Sequence, residues 1–135
     1  MHAKVVRRGA ERTIGLVFEP GEEPIAALER YAEEQAPEPS RFAATGALEE
    51  VELGYFDRQR QAYREIAIRE RVEVVALVGD IDANRTQPRV HAHVVFERRD
   101  GSICGGHLLR ARVCPTLDLV LIESHQDDGD ASSPR

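Results

Sequence analysis

Three of the five histidines, His91, His93 and His107, fall within 17 residues of one another. His91 and His93 are two apart in a strand-like stretch, so both rings leave the same face of a sheet. Between them and His107 lies ERRDGSIC, which reads as a hairpin turn. A three-residue loop, Arg99-Asp100-Gly101, uses Gly101 at its left-handed position and sets His93 opposite His107, with all three rings on one side. A two-residue Asp100-Gly101 turn would instead send His107 to the other face unless a bulge restored it. Three imidazoles suit zinc, or iron, nickel or cobalt, with a position left for water or substrate. The competing reading makes them hydrogen-bonding residues of a cleft or interface. His2 and His125 lie near the chain ends and stand apart.

The opposite face of this hairpin is apolar, through Ala92, Val94, Phe96, Cys104 and Leu108. Gly105 and Gly106, opposite Val95 and Val94, leave space for a bulge, a neighbouring chain or a ligand. Glu73 lies within RVEVVALVG and, on strict alternation, shares a face with Val75 and Leu77. A carboxylate placed there needs a partner. It could orient a histidine or act as a base beside a metal, or form a sheet-edge ion pair with Arg71 or Arg110. Arg89, Arg110 and Arg112 flank the histidine strands and could meet an anion or face solvent. The chain carries no Gly-rich phosphate loop, G-x-S-x-G elbow or HExxH motif.

The elements that must position these residues are mostly strands. HAKVVRRGAERTIGLVFEP reads as two strands broken near Gly9 and carries a basic patch, Lys4, Arg7, Arg8 and Arg12. After the Pro20-Gly21 turn, Ile25, Leu28 and Ala32 recur at helical spacing from Pro24 to Gln35, and Pro37 and Pro39 stop the helix. Strands follow over Arg41–Thr45, Val51–Phe56, Gln61–Ile68, Arg71–Val78, Val90–Glu97, Ser102–Leu109 and Val113–Glu123. The expected fold is α+β, mostly antiparallel sheet around one main helix, with one domain over residues 4–124 and a disordered acidic tail over 125–135.

The 135 residues, 41% hydrophobic and 31% charged, suffice for one core built from Val, Leu, Ile and Ala. A formal charge of -6 excludes a uniformly basic nucleic-acid-binding surface. No run is long enough to span a bilayer and residues 1–12 hold no signal-peptide core, so the expected location is cytoplasmic. Cys104 and Cys114 read as buried free thiols.

The chain resembles bacterial members of the plant-and-prokaryote conserved (PPC) domain family, the domain that follows AT-hooks in plant nuclear proteins. The resemblance rests on GEEP before the helix, TGALEEVELGYFD, RVEVVALVGDI, HAHVVF, DGSICGGHL and TLDLVLIE. It implies an antiparallel sheet around a helix, a homotrimer, and a metal, zinc by preference, on His91, His93 and His107. It also implies a distant fold similarity to acetolactate decarboxylase, a zinc enzyme. The AT-hook is missing, and the plant GRFEIL motif is reduced to Glu70-Arg71-Val72-Glu73-Val74-Val75. Asp118 stands where the family usually has Glu. The resulting expectation is a metal-binding homotrimer acting on or sensing a small molecule. A DNA-binding regulatory module and an oligomeric interaction scaffold are the alternatives, with DNA disfavoured by net charge.

Overall fold

A computed structural model describes residues 1–7, 11–35, 38–82 and 87–124. The expected tail, and with it His125, lies outside the described residues, as does Arg8. Among these residues, seven strands and one helix occur in the order β1 (His2–Arg7), β2 (Glu11–Phe18), α1 (Pro24–Gln35), β3 (Ser40–Asp57), β4 (Ala62–Ile68), β5 (Val72–Asp82), β6 (Arg89–Glu97) and β7 (Ile103–Ser124). The helix begins at Pro24, whose fixed φ suits a first helical position. The Glu23 carboxylate accepts from the backbone N–H groups of Ile25 and Ala26 there.

Two of these strands are longer than sequence patterning suggests. Arg41–Thr45 and Val51–Phe56 are halves of one 18-residue strand, β3. It stays continuous by bending, at Gly46 (φ 145°) and Glu50 (φ 52°). Gly46 is required at the bend, since a Cβ would run into the Thr116 carbonyl oxygen and the Leu117 backbone. Ser102–Leu109 and Val113–Glu123 likewise merge into the 22-residue β7. A bend in an otherwise alternating pattern resembles a turn when read from residue types alone.

The two long strands close the fold. The sheet runs β1-β2-β7-β6-β5-β3-β4, and β7 also pairs with β3, every pairing being antiparallel. The circuit β3-β5-β6-β7-β3 therefore returns on itself. Its inner face, together with Leu28, Tyr31 and Ala32 of α1, forms one hydrophobic core that includes Phe18, Phe42, Leu77, Phe96, Leu108 and Leu121. Both cysteines are free and only partly buried. The described helix is not long and apolar enough to cross a membrane.

Candidate metal centre

The β6–β7 hairpin takes the three-residue loop. Arg98 N–H donates to the Ser102 carbonyl at 2.8 Å, and Gly101 N–H closes back on the Arg98 carbonyl at 2.9 Å. Gly101 has φ 88°, a left-handed conformation that glycine adopts without a Cβ penalty. Asp100 accepts from the Ser102 N–H and hydroxyl, at 2.9 and 2.6 Å. From outside the hairpin, Glu70 takes bonds from the Arg98 guanidinium (2.8 Å) and the Arg99 N–H (3.0 Å). The Arg98 bond is the main reason the Glu70 carboxyl titrates below its ordinary value.

With the loop fixed, the register follows. His93 lies directly opposite His107, Val94 opposite Gly106, Val95 opposite Gly105 and Phe96 opposite Cys104, with no bulge in this pairing. The inner face is as expected from alternation: Ala92, Val94, Phe96 and Leu108 are buried, and Cys104 packs at the edge of the core. His91, His93 and His107 all project from the outer face. The glycines have a different role from the one the sequence suggests. A Cβ on Gly105 would stand 2.6 Å from the Val94 carbonyl oxygen, so close backbone approach requires glycine there. Gly106 faces Leu53, away from the histidines.

The His93 and His107 rings are 5.4 Å apart between centroids and tilted by 30°. Two imidazoles that share one tetrahedral ion at about 2.0–2.1 Å place their centroids about 5 Å apart, so the spacing of this pair fits a common ion. His91 points its Nδ1 at Asp80, 3.4 Å away, across the β5–β6 ladder. A carboxylate on one ring nitrogen fixes the other as a ligand, the usual support for a metal-binding histidine. Desolvation, followed by the neighbouring His93 and His91, keeps the His107 pKa below the ordinary 6.5, which favours the neutral ligating form. Among the described residues, no three His, Cys, Asp or Glu side chains already stand together as a metal-binding set. The pair is poised and His91 is engaged with Asp80. The donor types and the His93–His107 spacing fit zinc.

Beside the histidines lies a groove of about 570 Å³ on the same outer face. Ala43, Val78, Val120 and Ile122 line it, with Arg41, Asp80, His91 and His93 as its polar groups. Two cross-strand rows account for this lining: Val120-Ala43-Val78-His93-His107 and Ile122-Arg41-Asp80-His91. Arg41 and Asp80 are site residues that the sequence reading missed. Their alignment depends on pairing β5 with both β3 and β6, which local periodicity does not reveal.

Glu73 is outside this site. A bulge between Val74 and Ala76 breaks the alternation of β5, so Leu77 turns inward while Glu73, Val75 and Ala76 are exposed. Glu73 pairs with Arg71 at 2.6 Å, the edge ion pair of the two readings. Arg110 pairs with Glu52 and Arg112 with Glu50, at 2.9 and 3.6 Å. At the far edge of the sheet, His2 pairs with Glu19. In the basic patch, Arg12 is tied to the buried Glu123 at 3.3 Å, and Lys4 is exposed.

Residues 6–125 match the model of the Plants and Prokaryotes Conserved (PCC) domain. The chain belongs to this family. Solved structures agree with the assignment at the level of fold. A plant- and prokaryote-conserved protein from Pyrococcus horikoshii superposes with a TM-score of 0.77 at 24% identity, over 93% of this PCC chain and 84% of that one. A protein from Bacteroides thetaiotaomicron, provisionally named as DNA-binding, gives 0.77 at 25%, over 93% and 85%. A metal-containing protein from Archaeoglobus fulgidus gives 0.74 at 24%, over 90% and 82%. The PCC fold extends more distantly to α-acetolactate decarboxylase from Bacillus subtilis, with a TM-score of 0.58 at 11% identity, over 81% of this chain and 51% of that one. Among curated proteins, no relative matches.

Proposed function

We propose that this PCC domain holds a divalent metal ion, zinc by preference, on His91, His93 and His107, and binds a small molecule in the adjoining groove. The observation that carries the reading is the opposed His93–His107 pair, 5.4 Å apart on the face that also presents His91 and Asp80. The metal-containing fold relative from Archaeoglobus fulgidus supports it. When bound, such an ion polarises an oxygen of the ligand as a Lewis acid. Asp80 orients His91 for ligation, and partial burial favours the neutral form of His107. The apolar residues of the groove exclude water from the ligand. Arg41 and Asp80 add charged groups of both signs to the groove, which favours a strongly polar molecule.

The domain works as a homotrimer in this proposal. Besides the family resemblance, the support is an outer face rich in exposed apolar side chains: Val75 (56% exposed), Val78 (48%), Val95 (40%), Ile103 (59%) and Val120 (47%). A contiguous apolar sheet face of this kind calls for a covering partner. Sedimentation equilibrium showing a monomer at micromolar concentration would remove the trimer. A second reading, DNA binding, draws on the provisional name of the Bacteroides thetaiotaomicron relative. The net charge of -6 and the engagement of Arg12 by Glu123 count against it. Any duplex binding is then weak and steeply salt-dependent, whereas a tight complex at physiological salt would favour DNA. The metal reading is tested by elemental analysis of protein purified without an affinity tag. Zinc in the wild type and its loss in His93→Ala are expected, and equal metal in both overturns the assignment.

A further inference from the structure

The histidine row does not stop at His107. Across the β7–β3 ladder His107 faces Gly54, and across β3–β4 Gly54 faces Glu65. The outer face therefore reads His93-His107-Gly54-Glu65, with one position lacking a side chain. That gap is filled from the neighbouring strand. Tyr63, paired with Phe56, leans diagonally so that its phenol end occupies the place where a Cβ on Gly54 would be. Any side chain at position 54 would displace the hydroxyl. Directly opposed residues carry Cβ atoms about 4.5–5.5 Å apart, so the Tyr63 hydroxyl stands about one strand spacing from the root of the His107 side chain, on the same face. Tyr63 is 52% exposed, so its ring is not committed to the core.

We propose that Tyr63 belongs to the histidine site, its hydroxyl hydrogen-bonding an oxygen of the molecule held beside His93 and His107. This rests on the metal reading above and assigns the wall of the site opposite the Arg41–Asp80 side. A tyrosine hydroxyl can both donate and accept a hydrogen bond, so it suits a ligand oxygen of either kind. The competing explanation is packing alone, with an aromatic ring covering a glycine on an edge hairpin. The two are separable, because phenylalanine keeps the ring over Gly54 and removes only the hydroxyl.

The experiment uses untagged full-length protein loaded with Co²⁺. Acetohydroxamate, an oxygen-donor probe, is titrated while the cobalt d–d absorption is followed. The Tyr63→Phe protein is expected to retain cobalt as the wild type does and to bind acetohydroxamate about fivefold to tenfold more weakly, the effect of one lost hydrogen bond. Unchanged acetohydroxamate affinity with cobalt retained overturns the Tyr63 assignment and leaves the metal reading standing. Loss of cobalt from Tyr63→Phe also overturns it, since the hydroxyl would then act on the metal or the fold. A wild type that holds no cobalt overturns the metal reading and this assignment together, before any variant is compared. If Tyr63→Phe does not fold, Gly54→Ala takes its place. It keeps the hydroxyl but pushes it aside, with the same weakening expected and unchanged affinity contradicting the assignment.

Discussion

The two faces of the β6–β7 hairpin alternate along the same strands, yet they are under opposite demands. Inward, Ala92, Val94, Phe96 and Leu108 are all 2% exposed or less. Outward, His91 and His93 are open to solvent, and His107 is only partly covered. Each inner side chain fills volume that nothing else can fill. Each of the three outer histidines is a polar group whose removal leaves the core untouched. One register thus separates stability from chemistry, and substitutions on the two faces should fail in different ways.

The largest effect is expected on the inner face. Phe96→Ala removes one of the largest fully buried side chains and should cost about 3–5 kcal/mol in denaturant unfolding. A loss below about 1 kcal/mol would show that the face is less tightly packed than its burial implies. Next comes His93→Ala, which should release the metal entirely while changing the stability of the metal-free protein by no more than about 0.5 kcal/mol, as for other exposed positions. Substantial unfolding of this variant would erase the contrast between the faces.

Asp80→Asn sharpens the contrast by leaving all three histidines in place. Loss of the carboxylate facing His91 Nδ1 should weaken zinc binding about 10-fold to 100-fold in competition with a chelator. An unchanged affinity would mean that the His91–Asp80 contact lends no support to ligation. The pH dependence gives a smaller effect with a definite sign. Because the folded-state pKa of His107 lies below 6.5, the unfolded chain takes up the proton first as pH falls. The His107 contribution to metal-free stability is therefore full above the unfolded value and is lost as pH falls through the folded one. In His107→Gln, denaturation midpoints measured between pH 7.5 and 5 should show a shallower decline than in the wild type. The smallest effect belongs to Glu73→Gln, which breaks only the exposed pair with Arg71 and should leave metal affinity unchanged. A clear loss would return Glu73 to the site.

These regions also differ in how far the sequence reveals them. The histidine face is legible because a short loop with Gly101 at its αL position fixes the register, and two-residue periodicity does the rest. Glu73 is misplaced by strict alternation because the bulge at Val75 inserts a residue into β5, and no Gly or Pro marks that bulge. Arg41, Asp80 and Tyr63 escape notice for a related reason. They join the histidines only through pairings between strands distant in the chain, which carry no local signature. The continuous β3 and β7 are likewise read as shorter strands: Gly46 looks like a stop where the backbone only bends, and β7 is read as two strands on either side of Arg110-Ala111-Arg112.

The central claim is that imidazoles on the outer sheet face hold the metal. X-ray absorption at the zinc edge, on untagged protein loaded with zinc and dialysed free of excess, tests it most directly. The account predicts about three imidazole nitrogens at about 2.0–2.1 Å, and their loss in His93→Ala. Sulfur scatterers at about 2.3 Å would move the metal to Cys104 or Cys114, and zinc with no imidazole signal would contradict the site altogether.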